Sequence, residues 1–528
     1  MVGFLLFAMA AWPLLLVALP PLQDLPNHVA SAHIIAHPEI YPQYVFNGFF
    51  KSNSLLTLWL CVFGGYGLFG AARAFTAVAL AANALALPIF VLRFGGRRSF
   101  WVGILFAWPL VHGFFLSMGM LNFAFAFALS LILLAVLDGQ RECATLLRGI
   151  GIGVLGCALW YAHPFPLVVV IGLVGLFALG QATWRERAKT GLVLLSPLAP
   201  VGLLFFASAR QHLVKAERVR AQAEAWFAYL PPWETLAHLW LDASGALTRW
   251  GSVTLVPTAL LLYYGWKQRR IRRPFFSPLA MAGLALGYLA LPTMLSNWWY
   301  LNCRLVPFLW AGAVVRLPER LPKPVVAGLA VCAVWFSAAL GVDYVRLDRD
   351  RSAFAAGTES VPMQATLLPL IFKHSETSDF TASLTHAWAD YVVARNTSAP
   401  LVFAVERSYP ITYRDFPPAA LIPPALDRMA EKHGTPAQVC KTFRPARLQV
   451  DAECMEEWRR QWSAFWKEAE PRFSHLLTWA IPPEARAMIP AGYRRVFAAN
   501  QLEIYQRAVA ASLHTGAELE PAQIGGWR

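Results

Sequence analysis

A short polar motif, Asp-Leu-Pro-Asn-His at residues 24–28, directly follows the first apolar segment of the chain. A carboxylate is costly to place at a membrane boundary, so Asp24 is a candidate functional residue by default. The loop that it opens also contains His33, His37 and Glu39. A carboxylate and imidazoles in this position indicate acid–base chemistry on a molecule that is presented at the lipid surface.

The composition is that of a membrane protein with a water-soluble end. Of the 528 residues, 57% are hydrophobic and only 14% are charged, whereas soluble domains carry about 25% charged residues. Apolar runs of about 20 residues, each long enough to cross a bilayer as a helix, recur through the first two thirds. Charges and prolines return beyond about Asp343. We therefore expect an all-α polytopic membrane domain at 1–345 and a small extracytoplasmic α/β domain at 346–528.

The net charge of +14 lies largely in short loops between apolar segments. This distribution fixes membrane orientation, so it does not indicate nucleic-acid binding. The basic loops are 93–98, 138–148, 182–189, 267–273 and 316–323. All of them lie on one side if the short apolar stretch 55–68 does not cross the membrane, a point that stays open. We predict about eleven spans, an uncleaved first helix at 2–22 with its N-terminus in the cytoplasm, and long outer loops at 23–54 and 209–250.

This topology brings dispersed polar residues to one membrane face. The set comprises Asp24, Asn27 and His28 after the first span, Asn122 in the turn 117–123, His163 in an Ala-His-Pro turn, Arg218 and Arg220 in the second outer loop, and Asn297 and Arg304 in the segment 296–304. Because these residues share the outer face, we treat them as one candidate site.

The pattern resembles the GT-C glycosyltransferases. The resemblance rests on Asp-Leu-Pro-Asn-His at 24–28, Met-Gly-Met-Leu-Asn-Phe at 118–123, the His-Pro turn at 163 and the later Asn-Trp…Arg, and it covers about residues 1–345. More narrowly, these motifs look like a bacterial GT-C-like group of poorly defined substrate. The chain departs from some branches in lacking their paired acidic residues. The resemblance implies an inner-membrane enzyme whose donor is a sugar on a polyprenyl phosphate.

The residue types fit that chemistry. Asp24 is placed to act as the base on an acceptor hydroxyl, with His28 beside it, and displacement in line would invert the anomeric centre. A departing lipid phosphate needs cationic stabilisation, and arginine suits a phosphate because its donors form a planar, always-charged fork. Arg304 is the first choice, and His163, Arg218 and Arg220 are second choices. Asn27, Asn122 and Asn297 are candidate substrate-binding amides.

Several alternatives stay open. Asp24 suits the N-cap of a following helix, Arg304 suits a side chain that extends to the interface, and His33 with His37 is a weak candidate zinc pair. No nucleotide-binding motif is visible. We expect no required cofactor, although a divalent metal is compatible. The partners expected are the lipid bilayer, the lipid-linked sugar and an acceptor that the sequence does not identify. A transporter or flippase of a lipid-linked sugar, or a non-catalytic scaffold or sensor, are the competing functions.

Periodicity and turn residues predict the elements of the C-terminal domain. We expect helices at 380–395 and 451–470, strands at 401–405 and 476–481, and a hairpin at 495–505 that turns at Asn500-Gln501. Cys440 and Cys454 are the only cysteines of this domain, and a disulfide between them is reasonable if the domain lies outside the cytoplasm. We expect this domain to shape the acceptor site or to cover the membrane site.

Overall fold

The computed structural model describes residues 1–213, 227–295, 298–404, 409–443 and 450–508. Three predicted site residues, Arg218, Arg220 and Asn297, lie outside the described residues. The remaining candidates fall on described elements, so their positions follow below.

Helices make up most of the described chain up to residue 355. They are α1 Val2–Ala11, α2 Leu25–Ala36, α3 Leu55–Phe63, α4 Leu68–Gly95, α5 Phe100–Ala107, α6 Phe114–Ser117, α7 Leu121–Glu142, α8 Leu146–Ala162, α9 Pro164–Leu179, α10 Trp184–Leu195, α11 Ala199–Leu213, α12 Pro232–Ser244, α13 Leu255–Lys267, α14 Pro278–Ala290, α15 Val306–Val314 and α16 Lys323–Ala355. Several ends follow from local chemistry. His163 caps α9 through Nδ1, 3.2 Å from the backbone nitrogen of Phe165, and Pro164 occupies the first turn.

Among the described residues, five helical stretches are long and apolar enough to cross a membrane. They are Leu68–Gly95, Phe100–Ser117, Leu121–Glu142, Trp184–Ser208 and Lys323–Ser360. Shorter apolar helical stretches of 10–17 residues include Val2–Leu15, Leu146–Ala162, Pro164–Leu179 and also Leu55–Tyr66. The chain is thus a helical protein with several apolar helices, and the count of about eleven spans stays a prediction.

The C-terminal part combines helices with a sheet. Its helices are α17 Ala389–Arg395, α18 Pro423–Glu431, α19 Pro436–Phe443, α20 Ala452–Ala469 and α21 Pro483–Ala487. Strands β5 Leu367–Ile371, β7 His475–Trp479, β8 Tyr493–Ala499 and β9 Leu502–Arg507 form a sheet of order β5-β7-β9-β8, in which β5 and β7 are parallel. The remaining strands are β1 Tyr44–Phe46, β2 Phe227–Ala228, β3 Met294–Leu295, β4 Trp298–Trp299 and β6 Ile411–Tyr413.

Three of the predicted C-terminal elements are confirmed. The strand at 476–481 is β7, the hairpin at 495–505 is β8–β9 with its turn at Asn500-Gln501, and the helix at 451–470 is α20. Cys440 and Cys454 form a disulfide that ties α19 to α20. Every residue of β5 and β7 is buried, because these strands are covered on both faces.

Two predicted elements are wrong in whole or in part. Residues 401–404 form turns and bends and no strand, because the side-chain amide of Asn27 takes the backbone groups that a neighbouring strand would use. The helix predicted over 380–395 begins only at Ala389. The hydroxyl of Ser378 accepts hydrogen bonds from the backbone of Phe380 and Thr381, and such bonds compete with helix formation.

Two clusters of buried side chains organise the packing. The first comprises apolar residues between Leu6 and Leu347. The second joins Ala30, Ile34, Tyr41 and Tyr44 of the segment 30–44 to residues between 354 and 505. Helix α2 therefore packs on α17, and the C-terminal part rests on the helix that begins directly after Asp24.

Candidate active site at the membrane boundary

The backbone of Asp24 is held by the turn 117–123. The Asp24 backbone nitrogen donates to the carbonyl of Met118 at 3.1 Å. Gly119 has φ +76, and a Cβ there would lie 2.7 Å from the Asp24 nitrogen and 2.8 Å from the Leu25 nitrogen. Only glycine permits both this backbone conformation and this approach. The Met-Gly-Met turn therefore fixes where the carboxylate begins.

The carboxylate of Asp24 does not cap α2. Asp24 stands at the N-cap position, but its side chain makes no capping hydrogen bond. Its Oδ1 instead lies 3.5 Å from Nε2 of His386, and the side chain is 15% exposed. The capping interpretation thus loses its support, and the carboxylate is left directed at a side chain of the C-terminal part.

Asn27 docks the C-terminal part onto α2. Its Nδ2 donates to the carbonyl of Leu401 at 2.9 Å and lies 3.2 Å from Nδ1 of His386, while its Oδ1 accepts from the backbone nitrogen of Phe403 at 3.0 Å. The side chain is fully buried. Asn27 was predicted to bind substrate, and in this structure its amide positions protein groups.

His28 lies beside this junction. Its ring meets the ring of Phe403 edge-on, with centroids 5.5 Å apart. Burial lowers the pKa of His28 to about 4, against the opposing effect of the Asp24 carboxylate. The imidazole is therefore neutral at physiological pH, and it can donate or accept a hydrogen bond without carrying charge.

Arg304 is the point where three of the sequence motifs meet. The residue is buried, and its Nη1 lies 2.9 Å from Nε2 of His163 while its Nη2 donates to the carbonyl of Trp299 at 3.1 Å. The guanidinium stands 5.3 Å from the ring of Phe123 and close to two further phenyl rings, those of Phe115 and Phe165. A flat cation over aromatic faces is held in orientation, so the guanidinium of Arg304 is fixed in place. We call the three rings around it, those of Phe115, Phe123 and Phe165, the Arg304 enclosure.

This cation and the carboxylate belong to one site. Asp24 lies near enough to act electrostatically on both Arg304 and Tyr300, and Tyr409 of the C-terminal part also acts on Arg304. A carboxylate and a positive charge held in place thus lie within electrostatic range of each other. That pairing suits a reaction in which one group loses a proton and another gains negative charge.

Sequence reasoning missed a second set of titratable groups from the C-terminal part. His386, Asp427, His374 and Glu431 are near one another, with His374 Nε2 3.0 Å from Glu431 Oε1. Burial raises the pKa of Asp427 to about 6, and the nearby carboxylate of Glu431 adds to this. The only sequence signal was the predicted helix 380–395, which contains His386 and says nothing of Asp24.

Both polar atoms of the Asn122 side-chain amide form hydrogen bonds at the start of α3. Its Oδ1 accepts from the backbone nitrogen of Leu56 at 2.8 Å, and its Nδ2 donates to the carbonyl of Asn53 at 2.8 Å. Both halves of the amide thereby tie the start of α3 to α7. This bonding favours an anchoring role over the predicted contact with substrate.

His33 and His37, the weak candidate zinc pair, lie close to each other. The rings of His33 and His37 have centroids 4.4 Å apart, and His33 Nε2 lies 2.8 Å from Asn396 Oδ1. Within the described ranges, no group of three or more His, Cys, Asp or Glu residues could hold a metal ion. A zinc site at this pair would need a ligand from elsewhere.

A small apolar cavity of about 20 Å³, no larger than a water molecule needs, lies against the Arg304 enclosure. Phe115 and Phe123 line both, and the other walls include Asn83, Val111 and Pro307. The cavity is lined almost wholly by apolar side chains. This cavity packs against the rings that hold Arg304 and is too small to receive a ligand chain.

Comparisons with known proteins reveal a likeness in fold. No protein-family model matches the chain, and no curated protein matches it by sequence. The structure is similar to the crystal structure of ArnT from Cupriavidus metallidurans in the apo state, with a TM-score of 0.51 and 12% identity over 97% of this chain and 96% of that chain. ArnT is a GT-C protein. The GT-C-like membrane fold that the motifs indicated is therefore confirmed, and it extends beyond residue 345.

Proposed function

We propose that the protein is a membrane glycosyltransferase that moves a sugar from a polyprenyl-phosphate carrier to an acceptor hydroxyl. The reaction takes place on the extracytoplasmic face of a bacterial inner membrane. One observation carries the proposal: the Asp24 carboxylate, which caps no helix, lies within electrostatic range of the Arg304 guanidinium, which contacts with His163 and Trp299 hold in place. The ArnT-like fold over nearly the whole chain supports it.

The chemistry follows from the two charges. Asp24 takes the proton of the acceptor hydroxyl as the oxygen attacks the anomeric carbon. The bond between that carbon and the phosphate oxygen breaks, and its electron pair stays on the lipid phosphate. Arg304 stabilises the charge that develops there, because its donors are oriented before the reaction begins. Attack from the side opposite the phosphate inverts the anomeric centre.

In this proposal, the donor lipid binds with its phosphate at the Arg304 enclosure. The phosphate meets the guanidinium, and the first part of the polyprenyl chain extends from it toward the membrane. The rest of the chain lies between helices in the bilayer. The step needs no nucleotide and no cofactor, because the phosphate ester supplies the leaving group.

Asp24→Asn tests the proposal most directly. The purified protein is reconstituted in lipid vesicles with a panel of polyprenyl-phosphate sugars, and release of the sugar is followed. Loss of a general base lowers turnover by about 10²- to 10⁴-fold, so we expect Asp24→Asn to be nearly inactive while it still binds donor lipid. Glu39→Gln is the matched control, since Glu39 is an exposed carboxylate of the same outer loop.

The outcomes separate the competing functions. Equal turnover by wild type and Asp24→Asn would remove Asp24 from the mechanism. No turnover of any donor by wild type, together with movement of the intact lipid-linked sugar between leaflets, would favour a flippase. Neither turnover nor movement would favour a scaffold or sensor.

A further inference from the structure

The amide of Asn27 has only one orientation that fits its surroundings. Its oxygen must face the backbone N–H of Phe403, which can only donate, and its nitrogen must face the carbonyl of Leu401, which can only accept. The two distances, 3.0 and 2.9 Å, are those of ordinary hydrogen bonds. The group that Asn27 presents to His386 is therefore an N–H donor.

This orientation determines the protonation of His386. Nδ1 of the ring lies 3.2 Å from the Asn27 nitrogen, so Nδ1 must be the acceptor. A neutral imidazole has one protonated nitrogen, and the proton is then on Nε2. Nε2 is the atom that faces Asp24: it lies 3.5 Å from Oδ1, a polar contact longer than an ordinary hydrogen bond. Asp24 thus faces a neutral N–H donor.

We infer that His386, contributed by the C-terminal part, is a positioning residue of the reaction, keeping the Asp24 carboxylate aimed at the acceptor while Asn27 holds His386 in the Nε2–H form. The inference rests on the proposed function. A neutral donor serves a base better than a cation, because an imidazolium would form an ion pair with the carboxylate and oppose its protonation. The rings of His386 and Phe403 meet edge-on at 5.1 Å, which restricts the imidazole further.

Charged and titratable groups surround this pair from several elements. Asp24 and His28 face His386 from the start of α2, and Asp427 faces it from α18. Arg304 and Tyr300 act on Asp24 from the segment before α15. Substitution of His386 leaves all of these in place. A change in the pH profile then reports the loss of one donor to Asp24.

Two substitutions separate hydrogen bonding from shape. His386→Gln can place an amide N–H near the position of Nε2, whereas His386→Leu offers no donor. We expect His386→Leu to lower kcat of sugar transfer about tenfold to a hundredfold with a smaller change in donor KM. Without the donor, the carboxylate binds its proton more tightly, so the acid limb of the kcat/KM profile moves up by about one pH unit at most. His386→Gln should keep most of the activity.

The matched control is His433→Gln. His433 is another partly buried histidine of the C-terminal part, and its ring forms no hydrogen bond among the described residues. We expect its kcat and acid limb to equal those of wild type. A His386→Leu protein that is folded, with wild-type kcat and an unmoved acid limb, would overturn the inference and leave the proposed function standing.

The tautomer has a test that does not depend on activity. Protein labelled with ¹⁵N-histidine in detergent gives separate nitrogen shifts for the two ring positions, and the spectrum of His386→Gln identifies the signal of His386. We expect a neutral ring with its proton on Nε2 at pH 7. A proton on Nδ1, or an imidazolium, would overturn the inference whether or not the vesicle assay finds turnover. Failure of wild type to use any donor, with the expected tautomer present, would overturn the proposed function and leave only the tautomer of His386 standing.

Discussion

Gly119→Ala should disturb the reaction without altering any group that takes part in it. The added Cβ would lie 2.7 Å from the backbone nitrogen of Asp24, whereas ordinary contact begins near 3.4 Å. The turn and Asp24 must therefore separate by about 0.7 Å, the difference between these distances. Because both sides of the contact are backbone, no flexible side chain can absorb the shift. The displaced residue is the proposed base.

The magnitude follows from two separate effects. An alanine at φ +76 costs about 1–3 kcal/mol of folding free energy in strain. A misplacement of about 1 Å at a reacting group can lower the rate a hundredfold, so a shift somewhat smaller than that should lower turnover roughly tenfold to fiftyfold. We expect kcat to change more than donor KM, since the added Cβ meets the backbone of Asp24 and Leu25 directly.

The assay has an unusually close control in Gly48→Ala. Gly48 has φ +81, nearly the conformation of Gly119, but a Cβ there meets nothing within 4 Å. Thermal unfolding in detergent and sugar release in vesicles are measured for both variants. Strain alone should lower the unfolding temperature of both, and only Gly119→Ala should lose turnover. Equal turnover in the two variants would refute the reasoning that the turn 117–123 places Asp24.

Three further predictions concern charge and covalent structure. Arg304→Lys keeps a positive charge but loses the planar fork, so we expect donor KM to rise and kcat to fall about tenfold or more in the vesicle assay; unchanged constants would remove Arg304 from phosphate binding. Burial raises the pKa of Asp242, which accepts a hydrogen bond from Tyr288 at 2.7 Å, to about 6. The folded state then holds a proton that the unfolded state has lost, so stability falls by about 3 kcal/mol as pH rises from about 4 to 6, and Asp242→Asn should flatten that part of the unfolding curve. Reduction of Cys440–Cys454, which closes a loop of sequence separation 14, should cost about 3 kcal/mol, seen as a lower unfolding temperature with reductant; no change would show that the disulfide is dispensable.

The elements that the sequence predicted correctly are those decided by neighbours along the chain. The apolar run of β7, the turn at Asn500-Gln501 and the amphipathic face of α20 each carry their signal within a few residues. The strand expected at 401–405 carried a similar apolar signal. It failed because the deciding partner was the amide of Asn27, which no local pattern can place.

The residues of the candidate site also divide into those that the sequence predicted and those that it did not. Topology alone placed Asp24, His163 and Arg304 on one face, and the structure brings His163 and Arg304 into contact with Asp24 nearby. Topology could not show that Asn122 forms its hydrogen bonds with the start of α3. That pairing depends on which backbone groups the end of a helix leaves unpaired. Topology also could not find His386, because Asn27 and His386 are 359 positions apart.

The position of His386 changes what the C-terminal part is for. A base at a membrane boundary must be shielded from water to act strongly, yet it must not be neutralised by a cation. Asp24 meets both conditions only where α2 and the C-terminal part meet: its side chain is 15% exposed, and the group against it is an imidazole that Asn27 holds neutral. The sequence led us to expect that this part shapes the acceptor site or covers the membrane site. The contacts assign it more than a cover, because removing His386 would leave Asp24 in place but without the N–H group that faces it.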